Sequence, residues 1–431
     1  MTAKTGPRGA ADRSAGDADT LTISRLGSHG DGVAETAGGA VFVPFALPGE
    51  TVRVAIDGDR GRLVGIEHAS PDRIAPICRH FTHCGGCTMQ HLAREPYAAW
   101  KRQIVVDAFA QRGIAADVSP LVSVGVSTRR RAALAARWTR HGVVLGYHEA
   151  RGTKLVDLEE CPVMTPTLAA RLPALRTLIA TLPRFEDEAR LSLLEADNGF
   201  AVAVDDAVAR ADLSAALVET LASAASAVAG LIRLTVAGDP VYQRAAPEVP
   251  CGPAHVVPPG NVFLQASQAA EQTMAALVVA ALPKKVQRVV DLFAGVGAFT
   301  FPLAQRARVL SVDGDATALG ALDHARRNAQ GLKPVDILKR DLFREPLSRK
   351  ELEGFDAAII DPPRAGARAQ CEMIAKSKVP LVVAVSCNPA TLARDCRILI
   401  DGGYQLGAVT PIDQFVFTDH VEVVAVLKRP K

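Results

Sequence analysis

No stretch of the 431 residues has the length and purity of a membrane span, so the sequence gives no ground for a membrane-embedded protein. The first twenty residues (MTAKTGPRGAADRSAGDADT) lack the apolar segment of a secretory signal. Basic residues occur there, but Asp12, Asp17 and Asp19 speak against a mitochondrial presequence, and a cytoplasmic protein is expected. Charge of one sign is also scarce: a formal net charge of +3 does not by itself establish nucleic-acid binding. Eight cysteines are present, yet in a reducing cytosol they do not suggest a disulfide framework. What remains is a folded chain, 48% apolar and 22% charged, long enough for two or three domains.

Residues 1–18 are rich in Ala, Gly, Asp and Arg without periodicity, and are expected to form a disordered tail. Residues 19–72 hold short alternating runs broken by Gly-rich turns, the pattern of a small β-barrel. Residues 73–260 read as a mixed α+β central domain. Within it, PYAAWKRQIVVDAFAQRG predicts an amphipathic helix that packs a cysteine-rich loop against the rest. TRRRAALAARW and GVVLGYHEARGTKLVDLEE predict antiparallel strands turning near residues 140–142, and LAARLPALRTLIATL predicts a helical run. Arg129, Arg130 and Arg131, with Arg137 and Arg140, make one basic cluster, readable as a solvated strand edge or as a surface for a polyanion. Residues 261–431 alternate strands and helices, which predicts a doubly wound α/β sheet.

Cys78, Cys84 and Cys87 fall within ten residues, a density that favours ligands over core residues. Zinc sites usually pair cysteines as two C-x₂₋₄-C hooks, whereas here one C-x₂-C follows a five-residue gap. Three clustered thiolates with Cys161 as a remote fourth suit a [4Fe–4S] cluster, with zinc as the alternative.

The α/β segment is organised around VVDLFAGVGAFTFPLA (289–304), an apolar strand running through a Gly295-x-Gly297 turn into a helix. Asp313 ends the next strand, 22 residues after Asp291, where a carboxylate suits the ribose hydroxyls of NAD or S-adenosylmethionine equally. Thr300 occupies the third glycine position of a dinucleotide fingerprint, which weakens the NAD reading. Asp361-Pro-Pro-Arg364 and Ser386-Cys387-Asn388-Pro389 each close an apolar strand, where the ligand crevice of such a sheet opens.

These motifs resemble known families. ISRLGSHGDGVA…VFVPFALPGETVRV resembles a TRAM domain, an OB-like RNA-binding barrel. DPPR resembles the (D/N)PP(Y/F/R) loop of methyltransferases. C-x₅-CGGC-x₂-QHL with a later CP, VSCNPATLARD and FVFTDHVEVVAVLKR are similar to motifs of the RNA 5-methyluridine methyltransferases. The resemblance spans roughly residues 20–431. It implies a Rossmann-like S-adenosylmethionine-dependent methyltransferase sheet at the C-terminus, an N-terminal TRAM barrel and a [4Fe–4S] cluster on Cys78, Cys84, Cys87 and Cys161. It further implies Cys387 as nucleophile on uracil C6 and Glu422 as the base that removes the C5 proton. Donor contacts carried over are Gln265, Phe293, Gly295, Asp313, Asp341 and Asp361. The implied partner is RNA, which Arg129–Arg131 and the barrel would hold while the target base is flipped out. The barrel and cysteine motif favour 23S rRNA over tRNA, with no obligate protein partner and no membrane. A cytosine-C5 methyltransferase and a non-catalytic RNA-binding protein are the rivals. Ala298, Ser267 and Val416 depart from the family pattern and leave the catalytic pair untouched.

Overall fold

The computed structural model describes residues 18–260 and 262–430, so the tail expected at residues 1–18 lies, but for Ala18, outside the described residues. The chain divides into two compact units. The first holds residues up to Pro76 with Thr88–Tyr97 and Phe417–Asp419. The second holds Ile77–Cys87, Ala98–Val416 and His420–Lys431.

In the first unit six strands form one barrel-like sheet: β1 (Asp19–Thr22), β2 (Arg25–Leu26), β3 (Gly32–Thr36), β4 (Gly39–Val43), β5 (Thr51–Asp57) and β6 (Arg60–His68). Their order is β1-β5-β6-β4-β3-β2. Alternation turns Val41, Val43, Val52 and Val54 inward with Ile23 and Ala34. Gly61 is required at the sharpest approach, because a Cβ there would lie 2.4 Å from Val54. Buried Glu50 accepts from the Leu47 and Ser70 N–H groups and from Arg73, which closes the barrel's end.

The helix predicted after the cysteine loop is α1 (Arg94–Ala110). Its second half places Val105 and Phe109 in the same core as Val290, Leu292 and Ile360 of the C-terminal sheet. The short β7 (Val122–Ser123) then joins that sheet too.

The central region is a seven-stranded sheet in the order β10-β9-β8-β11-β12-β13-β14. Its elements are β8 (Arg131–Thr139), β9 (Gly142–His148), β10 (Leu155–Asp157), α2 (Pro166–Ala169), α3 (Leu172–Ile179), β11 (Ala189–Ala196), β12 (Gly199–Asp205), α4 (Ala215–Ser226), β13 (Leu231–Val236) and β14 (Asp239–Gln243). The single helical run predicted at LAARLPALRTLIATL is broken into α2 and α3. Pro173 sits in the first turn of α3, where its missing N–H is tolerated. A hairpin of β15 (Val249–Cys251) and β16 (Ala254–Val256) follows.

The C-terminal region contains α5 (Gln268–Ala281), β17 (Arg288–Leu292), α6 (Thr300–Ala304), β18 (Arg308–Asp313), α7 (Ala316–Asn328), β19 (Val335–Lys339), β20 (Ala357–Ile360), α8 (Arg368–Ala375), β21 (Leu381–Ser386), α9 (Pro389–Asp401), β22 (Gln405–Asp413) and β23 (Glu422–Lys428). The sheet order β19-β18-β17-β20-β21-β23-β22-β7 reverses beside β17, and only β23 runs antiparallel to its neighbours. Strands buried on both faces explain the unbroken apolar runs AAII and LVVAVS. The reversal puts the ends of β17, β18, β20 and β21 around one crevice.

Candidate active site

The turn after β17 is held open by unusual backbone. Phe293 adopts φ 63°, Gly295 φ 54° and Gly297 φ 103°. A Cβ on Gly297 would lie 2.6 Å from the Phe301 ring, so only glycine fits. Around the position where Gly295 would carry a Cβ nothing lies within 4 Å, which leaves the backbone bare toward the crevice. Thr300 has a task of its own: its hydroxyl donates to Asp291 Oδ2 at 2.5 Å and meets Ser311 Oγ at 2.9 Å. Burial pushes Asp291 up to about 7, and the charge of Asp313 adds to the shift.

Asp313 ends β18 and accepts the Gly295 N–H on Oδ2 and the Asp315 N–H on Oδ1. Exposed Asp341 accepts the Phe343 N–H at 3.0 Å, and the Phe343 ring lies 5.3 Å from that of Phe293. Phe293, Gly295, Asp313 and Asp341 therefore border one face at the carboxyl ends of three parallel strands.

A hydrogen-bonded line runs from Asp361 to Glu422. Gln265 Nε2 donates to Asp361 Oδ2 at 3.4 Å, and Gln414 Nε2 donates to Gln265 Oε1 at 2.9 Å and to Glu422 Oε1 at 3.0 Å. Burial raises the Asp361 carboxyl well above its usual range, with the charges of Glu422, Asp291 and Glu271 adding to the effect. Burial pushes Glu422 up to about 7, against the pull of the Gln414 hydrogen bond, Arg364 and Lys101. Half-buried Cys387 is also raised, first by burial and then by Glu422 and Asp361, while Arg364 opposes.

The loops carrying these groups are tied together. Asn388 caps α9 by accepting from the Ala390 and Thr391 N–H groups. Its Nδ2 and the Thr391 hydroxyl both donate to the Arg364 carbonyl at 3.2 Å, locking the DPPR loop to the strand end that bears Cys387. Arg364 reaches His420 Nε2 at 3.0 Å. Buried Lys101 of α1 donates to Asp413, to the Phe415 carbonyl at 2.9 Å and to the His420 carbonyl at 2.7 Å. It clamps both ends of the segment between Gln414 and Glu422. A thiol, two carboxyls of raised pKa and a guanidinium thus share one crevice beside a bare glycine turn. That set suits covalent attack on a ring followed by proton removal.

Residues 255–430 match the tRNA (Uracil-5-)-methyltransferase family, and residues 15–63 match the TRAM domain. An RNA methyltransferase of Rhizobium meliloti (strain 1021) is 44% identical over 95% of this chain and 99% of its own length. The 23S rRNA (uracil(1939)-C(5))-methyltransferase RlmD of Aeromonas salmonicida (strain A449) is 33% identical over 95% of this chain and 96% of its own. This chain belongs to the RNA (uracil-5-)-methyltransferases. The fold of the methyltransferase is shared with the crystal structure of Pyrococcus abyssi tRNA (uracil-54, C5)-methyltransferase in complex with S-adenosyl-L-homocysteine. The TM-score is 0.72 at 23% identity, covering 95% of this chain and 100% of that one. Among the described residues, no helix of the methyltransferase is long and apolar enough to cross a membrane.

The four cysteines of the predicted cluster are drawn together. The charge of Cys78 bears on Cys84, those of Cys84 and Cys78 bear on Cys161, and Tyr147 feels Cys161, Cys84 and Cys87. Backbone N–H groups donate to three of the sulfurs: His80 and Phe81 to Cys78, Gly86 to Cys84, Val163 and Met164 to Cys161. Among the described residues no three His, Cys, Asp or Glu side chains are arranged to hold a single metal ion.

The basic cluster is corrected by the structure. Arg130 is buried, paired with Glu271 at 2.8 Å and bonded to the Gln265 carbonyl, so it cannot lie on a phosphate backbone. Arg131 stacks on the exposed Phe263 ring and Arg129 on that of Phe415, while Arg137 pairs with Glu188. Sequence reasoning also missed Gln414 and Lys101. Gln414 stood beside the closing motif and carried a signal only as an uncharged polar residue after an apolar strand.

Proposed function

We propose that the enzyme transfers a methyl group from S-adenosylmethionine to C5 of a uridine in 23S rRNA, with Cys387 as nucleophile and Glu422 as base. The observation that carries this reading is the buried line Asp361–Gln265–Gln414–Glu422 beside the Cys387 thiol. The Cys387 thiol gives up its proton to solvent, its sulfur forms a bond to uracil C6, and the C5–C6 π electrons move toward C5 and O4. S-adenosylmethionine supplies an electrophilic methyl, which C5 takes while the sulfonium–methyl bond breaks and leaves a neutral thioether. Glu422 removes the C5 proton, its electrons restore the C5–C6 double bond, and the Cys387 sulfur departs. A pKa near 7 suits that task, since about half of the group is ionised at neutral pH and it is basic enough to take the proton.

Gln265, Phe293, Gly295, Asp313, Asp341 and Asp361 line the side proposed for the donor. A sulfonium cation beside Asp361 would favour its carboxylate over the neutral form that burial imposes. Cys78, Cys84, Cys87 and Cys161 would hold a [4Fe–4S] cluster as a covalent staple of the loop 78–87, with no step of the reaction assigned to it.

The choice of 23S rRNA rests on the TRAM barrel, the cysteine motif and the likeness to the Aeromonas enzyme. Mass spectrometry of nucleosides in cells lacking the protein tests it. Loss of 5-methyluridine from 23S rRNA alone, restored by wild type and not by Cys387→Ala, is expected. Loss from tRNA alone would overturn the substrate and keep the chemistry.

A further inference from the structure

Arg130, Thr165, Glu195, Asp197, Gln268 and Gln272 border a cavity of about 460 Å³ outside the catalytic line. Arg130 is 4% exposed and forms the floor, while Asp197 and Gln272 are exposed at the rim. Three bordering residues carry buried atoms without a hydrogen-bond partner: Arg130 Nη1, Thr165 Oγ1 and Glu195 Oε2. A buried polar atom left unpaired is destabilising, and three around one cavity mark a place where a ligand would supply the partners. Arg130 is rigidly seated, since Nη2 is spent on Glu271 and Nε on the Gln265 carbonyl.

The charges decide the ligand class. A phosphate would meet the Arg130 guanidinium but also the carboxylates of Glu195 and Asp197. A planar group offering acceptors on one side and adjacent N–H donors on the other satisfies all of them. Guanine does so: O6 and N7 face an arginine, and N1–H with the 2-amino group faces a carboxylate. The volume lies within the usual range for small-molecule pockets. We propose that this cavity is a second nucleobase pocket, which takes an unpaired guanine of the RNA substrate while the uridine occupies the crevice. The proposal rests on the chain's acting on RNA. Through Arg130 and the Gln265 carbonyl, the occupant would also brace the line that ends at Glu422.

The test uses the full-length enzyme with guanosine, inosine and adenosine as probes, their binding followed by saturation-transfer NMR. Guanosine is expected to bind wild type, and to bind Glu195→Gln and Thr165→Val about tenfold more weakly. Inosine, which lacks the 2-amino group, should lose a similar factor on wild type but nothing further on Glu195→Gln. Cys387→Ala should bind guanosine as wild type does, which separates this pocket from the crevice. No guanosine binding to wild type, equal affinity for adenosine, or unchanged affinity in both variants would overturn the proposal. Methyl transfer to RNA by wild type is scored separately. Activity without guanosine binding removes only the pocket, whereas guanosine binding without activity removes only the catalytic reading.

Discussion

Cys387 and the four cysteines at 78, 84, 87 and 161 differ in what faces the sulfur. Around Cys78, Cys84 and Cys161, backbone N–H groups donate to sulfur and offset part of the rise that burial causes. Around Cys387 stand the carboxyls of Glu422 and Asp361, which raise its thiol, while Arg364 and the residue's own backbone N–H oppose them. The first setting suits a permanent ligand. The second suits a sulfur that must add to a ring and then leave, because an over-stabilised thiolate is a poor nucleophile and a bound thioether must still be expelled.

Breaking the catalytic side should have the larger effects. Cys387→Ala is expected to lower methyl incorporation into RNA by about 10⁴-fold or more, and to abolish a gel-stable complex with 5-fluorouridine RNA. Retained turnover would mean that another group attacks C6. Glu422→Gln should cost about 10²–10⁴-fold in rate. It should also accumulate a covalent RNA–protein species with ordinary uridine, since the adduct cannot lose its C5 proton. A slow variant without that species would move the base elsewhere.

Lys101→Met leaves Asp413 buried without its cation, and urea unfolding should show a loss of about 3–5 kcal/mol. Adding Asp413→Leu should recover much of that loss, whereas no recovery would assign the effect to packing. The pH profile comes next. With Glu422 near 7, kcat/KM should fall about tenfold per unit as pH drops below that value, because the protonated carboxyl cannot accept a proton. A profile flat from pH 5 to 8 would detach the base role from this carboxyl. Cys161→Ser should have the smallest effect on turnover. It should lose bound iron and its absorbance while retaining far more activity than Cys387→Ala.

The parts legible in the sequence were those whose partners lie nearby along the chain. Asp313, Asp361 and Cys387 sit at or just past the ends of apolar strands that could be read as such, and topology alone brings those ends together. Gln414 was not legible, because its meaning lies in Gln265, 149 residues away. Lys101 finds Asp413 across 312 residues, and nothing around it in α1 distinguishes it from a surface lysine. The triple arginine misled for the same reason. Adjacent cations read as one patch, yet Glu271, 141 residues on, draws Arg130 into the interior and separates it from its neighbours.

The two-residue β7 pairs in parallel with the far edge of β22, matching Val122 to Ile412 and Ser123 to Asp413. Ser119 adds a further bond to the Val409 carbonyl just before it. The sheet that carries the chemistry thus borrows its last strand from a segment about 165 residues before β17, and residues 105–109 of α1 cover its face. A fragment cut at residue 261 would present an unpaired ladder edge and a bare apolar layer to other molecules. Such a fragment would stick to its own kind rather than fold as a portable cassette.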